Sequence, residues 1–437
     1  MAQYSRRVAL LVFACWTAEC GTGQQIPVIS AETQQHIEHV RSGLLPDVVW
    51  KNDPHPGHPL SERMAALHIP GVGVAVIHHG VIEWAQGFGV TRLGGPPVTA
   101  ETMFQAGSIS KPVAAIAALR LVQQGKLQLD ADVNTVLNSW KLPVDPIAGN
   151  KPVTLRQLLT HTGGITVHGF AGYAFGVPVP DLIQVLNGES PANSPAIRSE
   201  AVPGSGWKYS GGGYTIMQQV LIDVTGKPFP KLLQDSVLTP IGMTESTYQQ
   251  PLPADRKSFA ATPYDANGTL VAGGAHTYPE LAAAGLWTTP TDLARFAIEV
   301  ERSLAGKSNL VLSAEMTRQM LTAGQGSWGL GPEISGSAAD PLFRHGGVDA
   351  GFESLMVAYE NGGEGAVVMT NAQGGGALAI EIMRSVAAEY GWPDYHPRVL
   401  GRFLIYLKIL VILIVGIGIG VFLKRVRRRD SAPERSA

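Results

Sequence analysis

The chain has 437 residues, 45% of them hydrophobic and 16% charged, with a net charge of −2. That composition suits a globular protein carrying a membrane element and excludes a disordered or fibrous chain. Lys424, Arg425, Arg427, Arg428 and Arg429 gather five positive charges at the C-terminus and leave −7 for the rest, so nothing in the charge pattern points to nucleic acid.

Residues 1–20 read as an export signal: Arg6-Arg7, the apolar run Val8 to Trp16, then small and polar residues. The apolar core is too short to span a bilayer. The only two cysteines, Cys15 and Cys20, both fall in this segment, so cleavage after Cys20 would leave a mature chain without cysteine. A lipoprotein acylated at Cys20 is the rival, but Glu19 stands where such signals want a small residue. A charged, proline-rich lead follows, with Asp53-Pro54-His55-Pro56-Gly57-His58-Pro59. The pairs His36 and His39, and His55 and His58, are spaced for ligation, but no H-E-x-x-H or cysteine pair accompanies them. They read as solvated polar residues, and no metal is expected.

The run Val72 to Ile77 turns at His79-Gly80 into Val81 to Phe88, a hairpin. Ser108-Ile109-Ser110-Lys111 then opens a helical stretch, Pro112 to Leu119, with proline in the first turn. Positions three apart on a helix are neighbours, so the Lys111 amine lies beside the Ser108 hydroxyl. A serine is a poor nucleophile until a base takes its proton, and a desolvated lysine can do that. Ser108 also falls near a helix N-terminus, where free N–H groups favour developing negative charge.

Further on, the turn-forming run Ala201 to Lys208 presents Tyr209-Ser210-Gly211 from a loop before a helix, Tyr214 to Val224. Phe343-Arg344-His345-Gly346-Gly347-Val348 leads into a strand, Phe352 to Tyr359, which turns at Asn361-Gly362-Gly363 to pair with Gly365 to Thr370. An amphipathic helix follows, Ala377 to Tyr390. Residues 113 to 330 are mostly helical patterns and long loops. The apolar run Phe403 to Leu423, 21 residues long, is enough for a ~30 Å hydrocarbon core. Lys408, near one end, can snorkel to the headgroups. The basic tail, 424–437, places the C-terminus in the cytoplasm, so the domain at 26–396 faces outward.

In the order S-x-x-K, tyrosine, histidine-glycine, the chain resembles the serine hydrolases of the class C β-lactamase and penicillin-binding-protein type, which include D-stereospecific peptidases and esterases. The resemblance runs from about Gly71 to Ala388 and takes in Leu158 to Gly164 and Ala284 to Ala294. It implies an α+β fold (an α/β sandwich): an antiparallel sheet flanked by helices, an inserted α-rich subdomain, and the site in the crevice between them. To that fold the chain adds one C-terminal transmembrane helix. The resemblance further implies Ser108 as nucleophile, Lys111 as proton acceptor, Tyr209 as proton shuttle, and the N–H groups of Ser108 and Val348 as oxyanion donors. Which of Lys111 and Tyr209 is the general base stays open. His345 shapes the substrate pocket, and Gly346 and Gly347 let substrate backbone approach the strand edge. His161, in Thr160-His161-Thr162-Gly163-Gly164, reads as structural, held by local hydrogen bonds.

Two departures from the family pattern stand out. Gly211 replaces the usual asparagine of the second motif, an amide that helps hold the lysine and meets the acyl side chain; Ser210 or a water is a candidate substitute. His345 replaces lysine, a variation the family allows, and a largely neutral imidazole suits a substrate carboxylate less well. No G-x-S-x-G is present, since Ala106 stands two before Ser108, and no G-x-G-x-x-G opens a helix after a strand, so no cofactor is implied. The expectation is a membrane-anchored, extracytoplasmic serine hydrolase acting through an acyl-enzyme on an ester or amide. Its substrate would be a small molecule or peptide, with a D-amino-acid peptide as one candidate. A weak β-lactamase or DD-carboxypeptidase is the near alternative, and a non-catalytic penicillin-binding or envelope scaffold the distant one. The loops Val167 to Pro180 and Leu252 to Thr277 are expected to shape the pocket.

Overall fold

Alternating apolar residues draw the two ends of the chain into a single sheet. The computed structural model describes residues 29–46, 57–143, 145–393 and 406–419. Its strands are β1 (Gly71–His78), β2 (Val81–Gly89), β3 (Phe104–Gln105), β4 (Trp287–Thr288), β5 (Glu333–Gly336), β6 (Pro341–Asp349), β7 (Phe352–Tyr359) and β8 (Gly365–Thr370). Six of them form an antiparallel sheet in the order β2-β1-β8-β7-β6-β5, and β3 pairs with β4 alone. Both expected hairpins are present, the first turning at His79 and Gly80, each with positive φ. The chain from β2 to β5 holds the helical subdomain, including the helices Ser110–Gln123, Gly211–Thr225 and Pro290–Leu304.

Burial explains the layering. On β1 the side chains Ala75 and Ile77 join one core with Phe104, Val113, Phe296 and Met356. Their neighbours Val72, Val74 and Val76 join a second core with Ile37, Leu378, Ile382 and Val386. Successive strand residues face opposite sides, so the sheet is apolar on both faces and needs a layer over each. The helix Pro290–Leu304 covers one face; the helix Gly375–Glu389 covers the other, with Ala31–Ser42 packed against it.

The expectation that the histidine pairs near the N-terminus are simply solvated is corrected here. The lead before β1 is not simply solvated, for it contains the helix Ala31–Ser42, capped by Ser30, whose Ile37 and Val40 are buried. His36 and His39 accordingly are not free polar residues: each Nδ1 lies at 2.8 and 2.9 Å from Glu389 Oε1. His55 lies outside the described residues, and His58 pairs its backbone with Leu44. The expected span Phe403–Leu423 is described only over 406–419, a helix of about 21 Å against a ~30 Å hydrocarbon core. Among the described residues no helix is long and apolar enough to cross a membrane. The export signal and the basic tail lie outside the described residues.

Candidate active site

The nucleophile turn is fixed before any side chain is considered. A 3-10 turn, Gly107–Ile109, runs directly into the helix Ser110–Gln123. Gly107 has a φ of 52°, and a Cβ there would lie 2.4 Å from Val348 N, so only glycine lets the turn touch β6. Ser110 Oγ donates to Gly107 O at 2.6 Å and accepts from Leu286 N–H at 3.0 Å; Tyr248 OH donates to Ser110 O at 2.7 Å. Ser354 Oγ on β7 donates to Ala106 O at 3.0 Å. Ser108 is left half-buried at the mouth of a cavity.

Lys111, 2% exposed, sends Nζ to Ser108 Oγ at 2.8 Å and to Ala283 O at 2.8 Å. The same Nζ lies 5.0 Å from the centre of the Tyr209 ring. Ser108, Lys111 and Tyr209 therefore converge, as the resemblance implied. Tyr209 is oriented largely by His161, whose ring lies 4.3 Å away and whose backbone and side chain grip both sides of it. Lys208 N–H donates to His161 O at 2.9 Å and Ser210 N–H to His161 Nδ1 at 3.1 Å. Burial, with Lys111 and His345 nearby, holds His161 well below its usual range, so its ring is neutral and Nδ1 is an acceptor. His161 is structural as expected, but its buried Nε2 has no partner, so local bonds satisfy it only in part.

The two departures acquire a shape. Gly211 opens the helix Gly211–Thr225, and a Cβ on it would meet Phe170 Cε2 at 3.0 Å and His168 O at 3.1 Å. The aromatic edge of Phe170 stands against this glycine, at the position where the resemblance implied an amide. Ser210 is no substitute: its hydroxyl caps the helix, accepting from Gly213 N–H at 3.0 Å and donating to Thr166 O at 2.9 Å. The lysine is held instead by the Ala283 carbonyl. His345, 2% exposed, is pushed down to about 3, first by burial and then by nearby Lys111. Its Nδ1 bonds Gly346 O at 2.6 Å, its ring stands edge-on to Trp328 at 5.5 Å, and Nε2 has no partner.

The glycines after it divide their work, which corrects the expectation that both admit substrate. A Cβ on Gly347 would sit 1.9 Å from Ala106 O, so Gly347 serves the contact with the nucleophile turn. Gly346 is exposed, lines the cavity and would meet nothing closer than Ser354 O at 3.8 Å. Among the described residues, positions 345–349 of β6 pair with β7 alone, because β5 pairs only with 341–344. An open strand edge thus borders Ser108.

The cavity measures about 710 Å³ and is lined by Ser108, Lys111, Tyr209, His345, Gly346 and Val348 together with Trp207, Trp328, His168 and Phe170. The first expected loop contributes His168, Gly169 and Phe170; residues 252–277 contribute none of the lining, although His276 bonds Ala171 O at 2.9 Å and braces that loop. One lining group escaped the sequence. Asp349, 4% exposed, has its carboxyl pushed well above the usual range by burial, opposed first by Lys111 and then by the Gly107 N–H and the Tyr278 hydroxyl. Nearby Glu280, fully buried, is pushed by burial to about 7. Nothing in the sequence distinguished either from a surface carboxylate, since only packing decides their solvation.

A nucleophile, an amine in contact with it, a phenol above that amine, and two N–H groups at a helix start and a strand edge are the parts acyl transfer requires. The protein-family model described as Beta-lactamase matches residues 60–388. Esterase EstB of Burkholderia gladioli is 31% identical over 215 residues, 47% of this chain and 53% of the esterase, so the match spans about half of that relative. Penicillin-binding protein 4 of Amycolatopsis lactamdurans is 26% identical over 356 residues, 75% of this chain and 88% of that protein. Among solved structures, the octameric penicillin-binding protein homologue from Pyrococcus abyssi has a TM-score of 0.65 at 24% identity, covering 77% of this chain and 76% of that one. The D-amino acid amidase of Ochrobactrum anthropi SV3 has a TM-score of 0.62 at 18% identity, covering 82% and 99%; both share the fold. With three quarters of its length matched by that model and the nucleophile turn, lysine and tyrosine brought together in one cavity, the chain belongs to the beta-lactamase family of serine hydrolases.

Proposed function

We propose that this hydrolase forms an acyl-enzyme at Ser108 and acts on a small ester or amide with an apolar or aromatic acyl group and no essential carboxylate. The observation that carries the reading is the 2.8 Å contact between Lys111 Nζ and Ser108 Oγ inside an aromatic-walled cavity. Ser108 Oγ attacks the substrate carbonyl as its proton passes to Lys111 or Tyr209. The oxyanion is taken by the N–H groups of Ser108 and Val348. Collapse returns that proton to the leaving alcohol or amine, and water then attacks the ester by the same route in reverse. The neutral His345 and the Phe170 edge beside Gly211 weigh against efficient β-lactam turnover, since both polar contacts such a substrate uses are weakened. The likeness to an esterase supports the ester side.

A fluorophosphonate serine probe tests this directly. The wild type should label and Ser108→Ala should not, while its circular dichroism stays that of the wild type. Labelling that persists in the variant moves the nucleophile elsewhere.

We further propose an extracytoplasmic domain anchored through Phe403–Leu423. Support comes from the helix at 406–419, whose apolar side chains, such as Ile412 and Ile417, are exposed at 70% and 67%, and from the basic tail beyond it. Truncation before Arg402 should release a soluble, active domain from the membrane fraction. Retention of that truncated chain in the membrane, or its inactivity when folded, would overturn the anchor as the sole membrane element.

A further inference from the structure

Catalysis occupies one end of the sheet. Val348, Glu353, Thr370 and Val72 lie in one row across it, and His78 stands six residues further along β1, about 20 Å away at ~3.3 Å per residue. At that far end two turns are stitched together: Gly80 N–H donates to Gly363 O at 2.8 Å, and a Cβ on Gly363 would lie 2.4 Å from Gly80 N. Three ligand-bearing side chains project from this junction. His78 Nδ1 is 2.8 Å from Glu364 Oε2, and His79 Nδ1 is 3.3 Å from Glu364 Oε1. Each imidazole thus faces a different oxygen of one carboxylate, and the two rings lie 3.8 Å apart.

We infer that His78, His79 and Glu364 form a binding site for a borderline divalent cation such as Zn²⁺, with water completing the coordination. Two imidazole nitrogens and one carboxylate are a donor set that such ions prefer over Mg²⁺ or Ca²⁺. The three ligand atoms lie within 4.8 Å of one another, the group among the described residues that meets this condition. Ligands about 2.1 Å from a tetrahedral ion are about 3.4 Å apart, so the site needs only a small inward swing. His79 can supply it, being 78% exposed, while His78 and Glu364 are 30% and 15% exposed and form the fixed wall. The carboxylate is already oriented by the His79 backbone N–H, 3.3 Å from Oε1, and His78 is backed by the Tyr390 ring at 4.9 Å. His79 adopts a φ of 52°, a turn conformation that glycine or asparagine fills more readily, so the imidazole is kept there at some backbone cost. Bound metal would tie the β1–β2 turn to the β7–β8 turn.

The test uses the full chain without an affinity tag, in detergent, titrated calorimetrically with ZnCl₂. One ion per chain should bind with a dissociation constant on the order of micromolar. His79→Ala, at an exposed turn, should fold normally and weaken binding at least about 10-fold, while His39→Ala should leave it within about twofold. Zn²⁺ should also raise the melting temperature of the wild type and not of His79→Ala. Absence of binding at ~100 μM, or unchanged affinity in His79→Ala, overturns the proposal, as does an affinity lost instead with His39→Ala.

Discussion

The two ends of the sheet treat histidine and carboxylate in opposite ways. At the catalytic end His161 and His345 are buried and neutral, with no hydrogen-bond partner at either Nε2, and burial pushes the carboxyls of Asp349 and Glu280 up. At the far end His78 and His79 share Glu364, and His36 and His39 share Glu389, each within reach of water. Unsatisfied buried polar atoms cost stability, so a fold keeps them where something else requires them. The difference sets a buried, aromatic-walled cavity against an exposed cluster open to solvent.

The contrast predicts large effects at one end and small ones at the other. Removing the nucleophile should be total, and Lys111→Ala and Tyr209→Phe should each slow acylation by roughly 10²-fold or more, read as the rate of probe labelling. Wild-type rates in either would remove that residue from the proton path. Next in size is substrate choice. The wild type should hydrolyse a short aryl ester readily and a chromogenic cephalosporin slowly, a handicap of about 10- to 10³-fold from two weakened contacts. His345→Lys should raise kcat/KM for the cephalosporin relative to the ester; a wild type that prefers the cephalosporin breaks this part of the comparison.

Burial of Glu280 sharpens it through pH. An unfolded glutamate loses its proton near 4.5 and the folded one near 7, so the folded state holds the proton more tightly. Its contribution is present below pH 4.5 and is lost as pH rises to about 7, up to about 3 kcal/mol. Glu280→Gln should therefore flatten the rise of urea sensitivity between pH 5 and 8, and a parallel loss in both proteins would contradict the burial argument. The smallest effect is expected from His39→Ala, which removes an exposed pair worth within about 0.5 kcal/mol by chemical denaturation.

Much of this was legible in the chain, for physical reasons that differ by element. The hairpins at 71–89 and 352–370 announce themselves by alternation and by turns that need positive φ, as at Gly80 and Gly363. The contact between Lys111 and Ser108 was legible from helical spacing, whereas Tyr209 joined them only through the resemblance of its motif to the family's. β6 was legible as a strand only through the resemblance, since Arg344-His345-Gly346-Gly347 has weak strand propensity and is held there by packing against the Gly107 turn. The helix Gly211–Thr225 begins three residues before the expected Tyr214 because the Ser210 cap outweighs three unfavourable glycines. Asp349, Glu280 and the His78–Glu364 pairing depend on which distant segments meet, and no local pattern carries that.

The sheet order β2-β1-β8-β7-β6-β5 has a consequence in time. During synthesis Ser108, Lys111 and Tyr209 leave the ribosome long before residues 341–370, yet β1 has only β2 to pair with until β8 arrives, and Val348 must reach the Gly107 turn before an oxyanion can be held. Contacts across nearly 300 residues make assembly slow and leave the apolar faces of β1 uncovered meanwhile. A nascent chain therefore carries Ser108, the proposed nucleophile, for more than half of translation before the strand that completes its oxyanion site has been made.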